Sequence, residues 1–300
     1  MTPILELRNV RKAYGDFVAV KDVSMSVPAG SIFGLLGPNG AGKTTSIRMI
    51  MNIVPQDSGE VLTFSHSRVP EDLRRIGYLP EERGLYRKMT VMDQLLFLAE
   101  IRGLKPAQIR PEIERWLERV ELAKWAKSKV EELSKGMQQK VQLIGTVLHK
   151  PDLLILDEPF SGLDPINQEL FRELLQEYRA QGKSVVLSTH GMELAERLCD
   201  HICLISHGRA VLDGDLKKIK RQVGGNSYRL VATGDLERLK EMPEVEQAAV
   251  QDGVAKLMLR PDASGSQMLR RLVEFLEIHE FHSEEPELEQ IFMKAVRDAA

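Results

Sequence analysis

Residues 32–50 read IFGLLGPNGAGKTTSIRMI, and this stretch narrows the choice of fold more than any other. Ile32, Phe33, Leu35 and Leu36 form the short apolar run of a strand buried in a parallel sheet. Gly37-Pro38-Asn39-Gly40-Ala41-Gly42-Lys43-Thr44 then fits G-x-x-x-x-G-K-[ST] without a mismatch. Thr45 follows, and a helix-compatible pattern resumes at Ser46. Strand, glycine-rich loop and helix together are the context in which this motif holds a polyphosphate rather than only turning the chain. Glycines let successive N–H groups converge on one point. The helix beginning near Gly42 aims its positive end at the same place. Lys43 adds a point charge for the outer phosphates, and the Thr44 hydroxyl suits Mg²⁺.

A second chemical signal lies farther along. Leu153-Leu154-Ile155-Leu156 is an apolar strand that ends in Asp157-Glu158. This is where the acidic partner of a phosphate loop belongs. Asp157 would hold Mg²⁺ directly or through water, leaving Glu158 to orient or deprotonate an attacking water. A surface turn carrying two acids is the plain alternative, weakened by the presence of Lys43 and Thr44.

The rest of the chain is organised around these two segments. A length of 300 residues suggests about two domains. A formal net charge of −3 gives no general attraction to nucleic acid. No apolar run approaches the ~18 residues of a membrane span. Cys199 and Cys203 flank His201. A metal or redox role is conceivable, but core packing in a reducing cytoplasm is the better reading.

Taken in order, residues 4–10 and 17–27 read as strands joined by a turn at Gly15-Asp16. Tyr14 before that turn is either a stacking platform for a purine or simple packing. Residues 60–64 and 76–79 are strands, the second ending at Pro80. Residues 90–130 turn helical, with Ile113, Trp116, Leu117 and Val120 on one face. A helix follows Ser134, whose residue type suits an N-cap. Residues 167–179 and 193–198 read as helices, and residues 184–187, 202–205 and 210–212 as strands. A boundary is expected at 222/223, before Gly224-Gly225-Asn226. Beyond it the order β-α-β-β-α-β matches a small ferredoxin-like domain.

These motifs, in this order, resemble the ATP-binding cassette (ABC) ATPases, the motor subunits of transporters, over about residues 4–215. The resemblance implies an α/β P-loop core with an antiparallel β subdomain and a helical insertion at about residues 85–148. It assigns 1–222 to the cassette and 223–300 to an accessory α+β domain. It also implies an adenine-stacking role for Tyr14 and a phosphate site in Gly37, Pro38, Asn39, Gly40, Ala41, Gly42, Lys43, Thr44 and Thr45. Leu133-Ser134-Lys135-Gly136-Met137 is similar to the family signature, usually LSGGQ. Ser134 and Gly136 would touch the ATP held by a second copy in a head-to-tail dimer, next to the loop that ends at Asp164. Asp157 and Glu158 match the strand-end acids, and His190 the switch histidine.

Two positions depart from the pattern. Glu81 stands where the family usually has a Gln that reaches Mg²⁺ and the attacking water. A carboxylate there still ligates Mg²⁺ but adds charge beside phosphates. Lys135 and Met137 replace the first Gly and the Gln of the signature. Residues 78–86 (YLPEERGLY), LSKG and the closing LEQIF look like exporter cassettes of the sodium-extrusion and drug-resistance type. That resemblance implies ATP and Mg²⁺ as ligands and a separate permease as partner at the cytoplasmic face of the plasma membrane, with no nucleic acid. A soluble ABC ATPase acting on ribosomes or DNA, and a slow ATP sensor, are the other classes.

Overall fold

The computed structural model describes residues 2–82, 84–224, 226–260, 262–284 and 286–298. The chain divides into two compact units, Met1–Gly214 and Asp215–Ala300.

In the first unit, the antiparallel pair β1 (Pro3–Tyr14) and β2 (Phe17–Pro28) precedes β3 (Ile32–Leu36) and α1 (Lys43–Ile50). β4 (Ser58–Thr63), β5 (His66–Ser67) and β6 (Ile76–Leu79) follow. Next come α2 (Val91–Ile101), α3 (Pro106–Arg119) and α4 (Lys135–Val147). β7 (Leu153–Asp157), α5 (Pro165–Ala180), β8 (Ser184–Thr189), α6 (Met192–Leu198), β9 (His201–Ser206) and β10 (Arg209–Asp215) complete it. The strands form one sheet in the order β5-β4-β1-β2-β10-β9-β3-β8-β7-β6.

The pairing changes character along this sheet. β1 pairs antiparallel with β2 and β4, whereas β3 pairs parallel with β8 and β9, and β7 pairs parallel with β6 and β8. The hydrophobic pattern follows. IFGLL and LLILD are buried at every position, as strands covered on both faces must be, while β1 and β2 mix buried and exposed positions. Phe33, Leu35, Ile47, Ile50, Ile155 and Val186 belong to the core beneath the phosphate loop.

The helical stretch has a core of its own, in which Val91, Leu95, Ile113, Leu117, Val141 and Ile144 are buried together. Its long helical pattern is broken in the middle. Gly103 takes a left-handed φ of +82°, and Pro106 opens α3. α4 packs directly on β6. A Cβ at Gly77 would lie 2.6 Å from the Thr146 carbonyl oxygen and 2.9 Å from Pro151, so only glycine fits. Cys199 and Cys203 are buried free thiols, and burial pushes both thiols up, as inert core residues require.

The second unit contains α7 (Leu216–Gly224), β11 (Asn226–Gly234), β12 (Val245–Gln251), β13 (Val254–Leu259), α8 (Gly265–Leu272), β14 (Leu276–Ser283) and α9 (Leu288–Asp298). Its sheet order is β12-β13-β11-β14, with antiparallel pairing between neighbours. Counted within the unit this is 4-1-3-2 read from the β14 edge, the ferredoxin-like order. Two expectations shift. The helix expected between β11 and β12 is only a 3₁₀ turn, Glu237–Glu241. Pro243 forces Met242 out of the helical region, to ψ 132°. The basic residues 217–221 lie within α7, so the second compact unit begins at Asp215 rather than at 223. Gly225 of the expected linker lies outside the described residues. Among the described residues no helix is long and apolar enough to cross a membrane.

Candidate functional site

Four adjacent parallel strands, β3, β8, β7 and β6, end on one edge of the sheet, and each delivers a site residue there. The phosphate loop follows β3, His190 follows β8, Asp157 ends β7 with Glu158 next, and Glu81 lies just past β6. Ligand crevices in α/β sheets lie at this carboxyl edge because the loops emerge there. A cleft of about 350 Å³ is lined by residues of the phosphate loop, among them Asn39, Gly40, Lys43, Thr44 and Thr45, together with Glu81 and Glu158.

The loop's shape depends on two glycines. Gly37 has φ +147°, and a Cβ there would lie 2.1 Å from the Ile205 carbonyl oxygen. Gly42 caps α1 with φ +111°, where a Cβ would lie 2.7 Å from the Ala19 carbonyl oxygen. Residues with side chains cannot take either place. Pro38, Asn39 and Gly40 are exposed at the tip, and Ala41 is buried. Lys43 is buried, and its Nζ donates to the carbonyls of Gly37 (2.8 Å) and Pro38 (3.2 Å). The same Nζ lies 3.7 Å from Oε1 of Glu158.

Glu158 stands in a left-handed backbone conformation, φ 48°, directly after the strand. Such a conformation costs about 1–3 kcal/mol and persists where the surroundings enforce it. Here the Glu158 N–H donates to the Ser188 carbonyl (3.1 Å) and to Ser188 Oγ (3.2 Å). Oε1 of Glu158 lies 2.9 Å from Nδ1 of His190. Lys43, Glu158 and His190 thus form a connected line, of which Lys43 and Glu158 line the cleft.

Asp157 is 1% exposed. Its Oδ1 accepts a hydrogen bond from Ser188 Oγ, and its Oδ2 is buried without a partner. An unmet buried carboxylate oxygen costs at least about 1–3 kcal/mol, a deficit that a hard cation or its water would remove. Asp157, with its unpartnered Oδ2, and the hydroxyl of Thr44, which lines the cleft, are donors of the kind a Mg²⁺ ion takes. The Tyr78 phenol is pushed up to about 12 by burial and then by the charge of Asp157.

The remaining expected residues lie elsewhere. Tyr14 is 47% exposed and pairs across the β1–β2 hairpin with Phe17, and it is Phe17 that lines the cleft. Ser134 and Gly136, at the start of α4, do not line it. Ser134 caps α4, accepting from the Met137 N–H at 3.3 Å, as its residue type suggested. A Cβ on Gly136 would meet Leu163 and Asn167 at 3.7 and 3.8 Å, so the signature sits beside the start of α5. Asp164 caps α5 through the Asn167 N–H, which holds its carboxyl below the ordinary value. Arg83, within the 78–86 stretch, lies outside the described residues.

Two contributors went unrecognised in the sequence. Phe17 carries no local signal beyond its nearness to Tyr14. Ser188 did carry one, as a polar residue near the end of a buried strand, two places before His190.

The comparisons with known proteins agree with this geometry. Residues 20–161 match the ABC transporter family, and residues 214–296 match the ATP-binding protein DrrA1-3-like C-terminal domain. The chain is 42% identical over 294 residues to uncharacterized ABC transporter ATP-binding protein YhaQ of Bacillus subtilis (strain 168), covering 98% of each chain. It is 41% identical to Nod factor export ATP-binding protein I of Cupriavidus metallidurans, covering 71% of this chain and 72% of that one. It is 31% identical to linearmycin resistance ATP-binding protein LnrL of Bacillus subtilis (strain 168), covering 97% of both. Among solved structures, an ATP-binding subunit of an ABC transporter superposes with a TM-score of 0.68 at 32% identity, covering 74% of this chain and 93% of that one. A dimeric bacterial ABC transporter cassette superposes at 0.65 with 25% identity, covering 71% and 98%. A phosphate loop and strand-end acids on one sheet edge, and relatives matched along nearly the whole length, make this chain a member of the ABC transporter ATP-binding family, an ATPase subunit of transporters.

Proposed function

We propose that this chain is the motor of an ABC exporter and drives a membrane permease made as a separate chain. The observation that carries the reading is that Lys43 and Glu158 line one cleft and Glu158 also meets His190, the parts needed to hold a triphosphate and direct a water at it. The export sense is supported by relatives named for Nod factor export and linearmycin resistance.

In this reading the backbone of residues 37–45 and Lys43 hold the β- and γ-phosphates of ATP. Thr44 and Asp157 hold Mg²⁺, with Glu81 alongside, and the ion supplies charge neutralisation at the phosphates. Glu158 accepts the proton of the attacking water, while His190 orients Glu158 and the γ-phosphate. Tyr14 and Phe17, on one hairpin, offer the base an aromatic surface.

Two copies act head to tail. Ser134, Gly136 and Asp164 lie outside the chain's own cleft, and Ser134 and Asp164 are exposed, as residues offered to a partner's ATP would be. The dimeric cassette among the similar structures supports the pairing of two copies. The pair would sit at the cytoplasmic face of the plasma membrane through the permease.

Affinity purification of the Glu158→Gln chain in ATP tests this reading. The expected result is a dimer that retains a polytopic membrane protein. Recovery with ribosomes or DNA instead would overturn the exporter reading.

A further inference from the structure

β6 is the outermost strand of its sheet. Its open side presents backbone carbonyls with no strand to receive them. Side chains of α4 and the residues just after it take that role. His149 Nε2 lies 3.3 Å from the Ile76 carbonyl. Thr146 Oγ1 lies 3.4 Å from the Tyr78 carbonyl, and its one proton is shared between that carbonyl and the Gln142 carbonyl at 2.9 Å. Gln142 Nε2 donates to the carbonyls of Pro80 (3.4 Å) and Glu82 (3.3 Å). Spacings of four and then three put these side chains on one helical face. Their acceptors step by two along β6 and past its end.

Gln142 is therefore the contact that extends this ladder beyond the strand, and its two acceptors flank Glu81. Gln142 is only 6% exposed, whereas Glu81 is exposed and lines the phosphate cleft. A second glutamine of the helical insertion holds the far end of the same loop, with Gln94 Oε1 accepting the Tyr86 N–H at 2.7 Å. The loop that carries Glu81 is thus tied to the insertion on both sides.

We propose that Gln142 is a positioning residue for Glu81. It fixes the backbone on either side of Glu81 so that the carboxylate faces the phosphates, and it makes Glu81 follow any displacement of α4. The helix that begins at Ser134 then governs the metal side of the chain's own nucleotide site. An apolar side chain of similar length at 142 would leave the Pro80 and Glu82 carbonyls without these donors.

This inference rests on the reading that Glu81 acts at the metal-bound nucleotide. A double-mutant cycle on the full chain separates the two. The readout is the ratio of affinities for a fluorescent ATP analogue in free Mg²⁺ and in EDTA, measured by titration. Glu81→Gln is expected to lower the ratio. Gln142→Met is expected to lower it by about three- to tenfold, leaving the EDTA affinity within about twofold of wild type, a size usual for coupling between neighbours. The double variant should fall no lower than Glu81→Gln alone. Gln142→Asn keeps the amide but shortens its reach, and should reproduce the loss if the Met variant folds poorly. Position 142 variants with a wild-type ratio, or effects that multiply in the double variant, would overturn the positioning role. A wild-type ratio for Glu81→Gln itself would overturn the underlying reading of Glu81, and the inference with it.

Discussion

Nδ1 of His190 lies 2.9 Å from the Glu158 Oε1 that also faces Lys43 Nζ at 3.7 Å. One carboxylate oxygen thus meets both the Lys43 ammonium and the imidazole after β8. The arrangement suits a base held in place by its neighbours, with the histidine orienting rather than accepting the proton. Glu158→Gln should keep ATP binding and slow hydrolysis by about 10²–10⁴-fold, the scale of a lost general base. His190→Ala should slow turnover as well. Single-turnover hydrolysis beside a nucleotide titration checks both, and a wild-type rate in the Gln variant would move the base elsewhere.

Lys43 is the one cationic side chain of the loop and is buried against its own carbonyls. Removing it takes away a charge-assisted contact worth about 1.5–3 kcal/mol, or about 10- to 150-fold in ATP affinity. Lys43→Ala should therefore bind ATP weakly in calorimetry while remaining folded. An unchanged dissociation constant would sink the phosphate-site assignment.

The compact unit Met1–Gly214 contains the whole cleft and the signature helix. A chain ending at Gly214 should fold and bind ATP, with any loss falling on dimer alignment or coupling to the permease. Circular dichroism with nucleotide titration decides this. An insoluble or nucleotide-blind truncation would show that the second unit completes the first.

His149 predicts a pH effect on stability. Burial, and then the nearby Arg102 charge, hold its imidazole below the ordinary value of 6.5, and the Ile76 carbonyl opposes them only in part. Its Nδ1 is buried without a partner. Below about pH 6.5 the unfolded chain takes up a proton that the fold resists, so stability falls as the pH drops from there towards the lowered folded value. Urea midpoints at pH 7.5 and 5.5 should fall further for wild type than for His149→Gln. Equal falls would show that His149 takes up its proton at the same pH in the folded and unfolded states.

The phosphate loop, the strand-end acids and the break into two units were legible before any coordinates, because each has a local cause. Gly37 and Gly42 occupy conformations and spaces that reject a side chain, so the motif declares itself in residue types. Ser134 read as a helix cap because a cap is a contact three residues long. The 222/223 boundary was a matter of local composition too, whereas the compact units part at Gly214/Asp215 because α7 packs on α9.

Other features depend on contacts between residues far apart in the chain, and only the tertiary structure decided them. Ser188 is 31 residues from the carboxylate it donates to, and it reaches Asp157 because β7 and β8 run side by side. Phe17 lines the cleft through the register of the β1–β2 hairpin, which no single position reveals. Gln142 meets the backbone around Glu81 across 60 and 62 residues of sequence, because α4 covers the open edge of β6. Side-chain chemistry selects what each residue is able to do. The order of strands in the sheet selects which of those residues meet.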